Sequence, residues 1–384
     1  MSVQFVPIEG LTISPIKIGL MSVCVIVFLC HIPFQSKVTW ICLFYWSTCF
    51  IVSLRYSVRF NTLGYLGLFL ITYIVYYNLI YKGVFTLMQF KKLLRSLLIA
   101  YAIFLILQQI FILLGISNFP PLNLVGNLLE TQYYEWNRLP SLSCEPSHTA
   151  RIISAAMLGY IRCLEIQKGA SVSLKSLFNK ENRLVTSCYL WLTFMMGSGT
   201  GWVGFGIICI YFIQKRTFFY IIPLAIGIGA ILYSGENKQF SRAINAAQAT
   251  ITGDVMQIVE ADQSGAVRIV PLINTLLNTD LSQTESWLGK GTLSEDDAQN
   301  AWTDLNRKIS IVEQYGLLGL IASLILLYSC AIRRFFSIET LMFILLLMLS
   351  LNNIYIVWSM VFIFTTIKYF QLQREKGLLD IKTI

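Results

Sequence analysis

A carboxylate, an imidazole and two guanidiniums crowd into fourteen residues of this chain, Arg138-Leu-Pro-Ser-Leu-Ser-Cys-Glu-Pro-Ser-His-Thr-Ala-Arg151. Glu145 is a candidate general base, and Arg138 and Arg151 carry the planar fork that grips phosphate oxygens in pairs. His148 is the rival base, the one titratable group near neutrality in this stretch. The same residues also spell an ordinary helix start. Proline suits the first turn, and an anion suits the positive end of the helix dipole. On these residues alone the functional and the structural reading stand side by side.

Further cations occur downstream. Ser264-Gly-Ala-Val-Arg268 precedes an apolar-spaced stretch, and Trp287-Leu-Gly-Lys-Gly291 follows it; Arg242 and Lys290 add to the set. Taken singly these are a solvated helix face and a glycine turn, but guanidiniums also stabilise a departing pyrophosphate as its charge develops. Gly197-Ser-Gly-Thr-Gly201 offers Ser198 and Thr200 at a tight turn. No lysine follows it, so a hairpin is the better reading than a phosphate loop. Glu313-Gln-Tyr-Gly-Leu-Leu-Gly319 reads as a helix start with close packing at its glycines. The chain has two histidines, and His31 sits at the end of an apolar run as an interfacial residue. No H-E-x-x-H, aspartate-rich motif or nucleotide loop is present, so neither a metal site nor a cofactor is expected.

The elements that must position these groups are apolar. Of 384 residues, 56% are hydrophobic and 13% charged, about half the charge of a soluble domain. Apolar runs fall near 16–34, 38–54, 61–81, 96–117, 149–165, 184–197, 200–213, 217–234, 315–332, 338–351 and 354–370. Runs of this kind cross about 30 Å of hydrocarbon as helices, since every backbone group must be satisfied within its own segment. The fold class expected is all-α, a polytopic membrane helix bundle of roughly ten to twelve transmembrane helices. The chain reads as one membrane domain over 1–384 with two elaborated outer loops, 118–148 and 235–314.

The net charge of +9 is distributed in short basic segments, such as Arg333-Arg334, Lys215-Arg216 and the stretch from Arg162 to Arg183. That is the positive-inside pattern of cytoplasmic loops and not a nucleic-acid patch. The alternate segments then face outward: 118–148, the 197–200 turn and 235–314, whose acidic residues outnumber its basic ones. Arg55 and Arg59 fit this alternation poorly, which leaves the topology of the first three spans open. Most of the nine cysteines lie inside apolar runs, where they act as small hydrophobes. The first run lacks a basic leader and a small-residue cleavage site, so it reads as a retained anchor.

Taken in order, these motifs carry a resemblance. An arginine followed by Ser-x-x-x-Glu-Pro-Ser (Arg138, Ser141, Glu145) opens a helix. A Ser-x-Thr-Gly turn follows, then Ser-Gly-x-x-Arg (Arg268), Leu-Gly-x-Gly and Glu-x-x-Gly-Leu-Leu-Gly. Over about residues 125 to 335 the chain resembles the O-antigen polymerase and ligase superfamily of bacterial inner-membrane proteins. The resemblance implies a GT-C-like, metal-independent glycosyltransferase with a large, partly helical periplasmic loop. It implies a donor and an acceptor that are undecaprenyl-diphosphate-linked oligosaccharides, in an O-antigen, capsule or exopolysaccharide pathway. A chain-length regulator, a flippase and membrane lipids are the partners it implies. Glu145, Arg268 and Arg138 would be catalytic. Arg242, His148, Arg151, Ser198, Thr200, Lys290 and Asn306 would bind substrate. Ligases carry a histidine before the asparagine where this chain has Leu305-Asn306, so the polymerase reading is preferred to transfer onto lipid A–core. A lipid-linked oligosaccharide flippase is the expectation from another class. It would need ionisable groups buried at mid-membrane or inverted repeats, and few are visible.

Overall fold

The computed structural model describes residues 15–31, 36–55, 60–115, 139–143, 145–213, 256, 258, 263–291, 306–347, 351 and 355–378. Among them there is helix and no strand. Eight helices come first: α1 (Pro15–Cys30), α2 (Lys37–Leu54), α3 (Phe60–Tyr81), α4 (Leu87–Leu113), α5 (Pro146–Lys168), α6 (Leu174–Leu177), α7 (Arg183–Met195) and α8 (Gly199–Tyr211). The second half holds α9 (Gln263–Leu277), α10 (Thr284–Leu288), α11 (Ser310–Leu326), α12 (Ile338–Leu347) and α13 (Tyr355–Glu375), with one π turn at Leu327–Ala331 after α11.

Four described segments are long and apolar enough to cross a membrane: Lys37–Leu54, Thr62–Tyr81, Leu87–Leu113 and Ser310–Ala331. Large apolar side chains on these helices and on α1 point outward. Leu29, Trp40, Ile51, Leu93 and Leu113 are each more than half exposed, a surface that suits hydrocarbon and not water. The count is lower than the ten to twelve expected. At 13 residues each, α7 and α8 reach only about 20 Å at 1.5 Å per residue. α5 carries Arg162, Glu165 and Lys168 in its last turns. The apolar run at 217–234 lies outside the described residues.

Two boundaries move. The fourth span, read from residue 96, begins at Leu87, where Thr86 and Gln89 form a reciprocal capping box. Lys91, Lys92 and Arg95 therefore belong to a helix and not to a loop. Their long aliphatic stems let the charged ends reach outward while the backbone stays helical, and Lys91 Nζ donates to Gln167 Oε1 at 2.8 Å. The apolar-spaced stretch at 264–278 forms a helix, α9, at Gln263–Leu277, with Pro271 inside it.

α5 is the axis of the bundle. It packs along α4, α8 and α13, and nearly every side chain from Ala150 to Leu164 is buried. Between apolar helices in lipid there is little hydrophobic drive, so small residues that allow close approach hold the pairs together. Gly204 of α8 shows this: a Cβ there would fall 2.1 Å from Ser154 Oγ of α5. α13 meets α3 through an aromatic seam. Trp358 stacks on Phe69 with centroids 5.9 Å apart, and Tyr73 and Thr365 share a hydroxyl hydrogen bond of 2.8 Å. Toward its C-terminal end α5 is tied to α12 by ions. Arg162 donates to both carboxylate oxygens of Glu339, at 2.7 and 3.1 Å, and to Glu165 Oε2 at 2.6 Å.

Candidate functional site at the start of α5

The stretch ahead of α5 is pinned by α4. Gln108 Nε2 donates to the Ser141 carbonyl at 3.1 Å, and the Ser141 N–H donates to Gln108 Oε1 at 2.8 Å. Ser141 Oγ donates to the Tyr101 carbonyl at 2.6 Å, and the Tyr101 and Ser143 hydroxyls lie 3.3 Å apart. Thr149 Oγ1 closes the loop from the other side by donating to the Pro140 carbonyl. These bonds hold Ser141 at φ +53°, a left-handed setting that a serine adopts only against a cost. They also fix where the chain enters the helix. Glu145 takes the N-cap position in extended conformation, with Pro146 at the first helical position.

Glu145 does not cap its own helix with its side chain. The carboxylate instead accepts from Ser147 Oγ at 3.2 Å, and His148 Nε2 lies 3.9 Å from Glu145 Oε2. The Glu145 side chain is 54% exposed and that of His148 28%. This setting is open to solvent on the carboxylate side. As N-cap residue Glu145 precedes the buried helix and projects from its end. The pair can accept or release a proton at a carboxylate or an imidazole, and becomes an ion pair when the imidazole is charged. Arg151, half-buried, follows one turn later on the same helix.

The turn between α7 and α8 packs at this level. Gly197 has φ +58°, Ser198 is the N-cap of α8, and Ser198 and Thr200 are buried. A Cβ on Gly201 would lie 3.8 Å from the Ala150 Cβ. The hairpin turn expected at 197–200 is thus present, beside the first turn of α5. Glu145, His148, Arg151, Ser198 and Thr200 share one end of the bundle.

A second assembly joins the motifs of the large loop. Gly316 interrupts α11 at φ +66°, ψ −170°, a region open only to glycine. A side chain there would strike the Trp287 carbonyl. The backbone contact this permits is made by the Lys290 N–H to the Glu313 carbonyl at 2.7 Å and the Gly291 N–H to the Gln314 carbonyl at 3.0 Å. The Leu-Gly-x-Gly and Glu-x-x-Gly motifs are therefore two halves of one contact. α9 docks here too. Asn274 Nδ2 donates to the Arg307 carbonyl at 3.1 Å, and Thr275 Oγ1 accepts from the Ile309 N–H at 2.9 Å. Arg307 Nε pairs with Glu313 Oε2 at 3.1 Å. Lys290 and Asn306 lie at the surface of this assembly.

Arg138 and Arg242 lie outside the described residues, as do residues 118–138 of the first loop and, apart from Met256 and Ile258, the stretch 241–259 of the large loop, whose sequence has helical character. Arg268 is on α9, ahead of Pro271, and its side chain is outside the description. Among the described residues no three His, Cys, Asp or Glu side chains gather as metal ligands would. Gln108 and Tyr101, which sequence reasoning passed over, emerge with Ser141 as the residues that position Glu145. The available signal was an amide pair, Gln108-Gln109, inside an apolar helix, where a polar side chain needs a reason.

No family model matches the chain, and no curated protein and no solved structure matches it. The superfamily resemblance stated above therefore rests on the motif residues.

Proposed function

We propose that this chain is a polymerase of undecaprenyl-diphosphate-linked oligosaccharide repeat units, multi-pass in a bacterial inner membrane, with its site on the periplasmic side. What supports the reading most is one juxtaposition. The Ser-x-Thr-Gly turn packs on the first turn of the helix that Glu145 begins, so two motifs about fifty residues apart in sequence serve one rim. In the reaction proposed, the Glu145 carboxylate takes the proton of an acceptor hydroxyl. The hydroxyl oxygen attacks the anomeric carbon of the growing chain. The bond from that carbon to the diphosphate breaks, and the lipid diphosphate leaves with both electrons. Arg138, Arg268 and Arg242 neutralise it as it departs. A single displacement inverts the anomeric centre. His148 is the alternative base. Ser198, Thr200, Arg151, Lys290 and Asn306 bind substrate.

The distribution of charge along α5 favours this chemistry over transport. No charged residue lies between Arg151 and Arg162, an interval of about 16 Å along the helix. A transport path needs ionisable groups there. The test is the length of lipid-linked glycan in cells carrying Glu145→Gln or Arg268→Ala. Chains collapsing to single units is the expected outcome, and full-length chains in both variants would sink the assignment. The direct assay is the purified protein with a synthetic lipid-diphosphate repeat unit, read as products of two or more units.

A further inference from the structure

At the end of α5 far from Glu145, a cleft of about 480 Å³ opens between α5, α12, α13 and the segment that follows the π turn. Seventeen residues separate Glu145 from Arg162 at its wall, about 25 Å along the helix. Five basic and three acidic side chains line it, an excess of two positive charges. The acids are already engaged. Glu165 and Glu339 are held by Arg162, and Glu375 pairs with Arg333 Nη1 at 2.5 Å. Lys368 Nζ is spent on backbone, donating to the carbonyls of Tyr328, Ser329 and Ile332 at 2.8, 2.9 and 3.0 Å.

Two guanidiniums remain at the mouth. Arg374 is exposed and lies across Gly169, with one donor, Nη1, on the Glu165 carbonyl at 3.2 Å. Arg334 is exposed, and among the described residues its side chain makes no ion pair. The floor between them is apolar, formed by Ile166, Phe364 and Ile367. Phe335 and Phe336, next in sequence after the arginine pair, are 59% and 94% exposed.

We propose that this cleft is a binding site for a phosphate group, the chemistry shared by an anionic phospholipid headgroup and by soluble phosphate. Arginine forks match phosphate oxygens in pairs. The neighbouring carboxylates are engaged within the wall, Glu165 and Glu339 by Arg162 and Glu375 by Arg333, and the lining keeps its excess of two positive charges for the ligand. The apolar floor and the exposed aromatic pair suit a headgroup with its acyl chain attached, at the level where aromatic rings sit at a bilayer surface. The site is separate from Glu145 and does not depend on the reaction proposed there.

The test uses the full chain in neutral detergent and fluorescent phosphatidylglycerol, with phosphatidylcholine of the same chain length and sodium phosphate as competitors. Phosphatidylglycerol is expected to bind at least about tenfold more tightly than phosphatidylcholine, and the Arg334→Gln/Arg374→Gln variant is expected to lose that preference. Lys175→Gln/Lys180→Gln removes the same charge from two residues that do not line the cleft and is expected to keep it. Displacement of the lipid by sodium phosphate assigns the site to soluble phosphate, and failure to displace assigns it to the lipid. Equal losses in the two double variants, or no preference for the anionic lipid, would overturn the proposal. Since both arginines are exposed, unchanged thermal midpoints check that each variant is folded.

Discussion

Replacing Gln108 with methionine removes the clamp that holds the loop before Glu145 while nearly conserving volume. Gln108 and Ser141 are both buried, and they exchange two hydrogen bonds, of 3.1 and 2.8 Å. The substitution leaves the Ser141 N–H and carbonyl without these partners. Each buried group stripped in this way costs about 1–3 kcal/mol. Water entering at the bundle end recovers part of that, so a loss of about 2–4 kcal/mol is expected. The left-handed Ser141, held at φ +53°, adds a tendency to spring out once released. At 1.4 kcal/mol per decade, the open loop should gain about 30- to 700-fold in population. Two readouts follow: the denaturation midpoint in detergent micelles, and hydrogen exchange at the amides of Ser141 and Ser143. Chain growth should fall with them, since Glu145 is two residues beyond Ser143. A midpoint equivalent to less than about 0.5 kcal/mol of change, typical of neutral surface substitutions, together with unaltered exchange, would refute the clamp.

Two other outcomes can be set down. Arg162→Met strands Glu339, whose side chain is 9% exposed, and should cost about 3–5 kcal/mol in the same unfolding assay. Adding Glu339→Leu should recover most of that, and a double variant as unstable as the single one would contradict the ion-pair account. Gly316→Ala forces a side chain into a glycine-only conformation against the Trp287 carbonyl, for a loss of at least about 2 kcal/mol. Protease sensitivity of the 281–291 segment should rise with it, and wild-type resistance would count against the docking described.

Local signals in the sequence served well where one element decides its own shape. The start of α5 at Pro146, the turn before Gly199 and the extent of α9 follow from proline, glycine and apolar spacing. Reading the fourth span from residue 96 leaves out Lys91, Lys92 and Arg95, although a helix end can carry such charge on long stems. Long-range partners were beyond reach. Gln108 meets Ser141 across 33 residues and Arg162 meets Glu339 across 177. Nothing in the spacing of either pair announces the contact. Of the candidate site, the grouping of Glu145 with His148 was visible because they share a helix turn. The docking of Trp287-Leu-Gly-Lys-Gly291 on Glu313–Gly316 was not, since glycine motifs state that something approaches closely without stating what.

The π turn at Leu327–Ala331 leaves backbone carbonyls open. Its backbone closes from the Ile332 N–H to the Leu327 carbonyl at 2.8 Å, which packs one residue more into the turn than an α-helix holds. The wide turn absorbs its extra residue locally, so a single deletion there would restore the α ladder with little change in the direction of the chain beyond it. The restored ladder would, however, claim backbone carbonyls of the kind that Lys368 Nζ now takes from Tyr328 and Ser329. Length in this five-residue stretch is therefore constrained through the lysine that its open carbonyls feed.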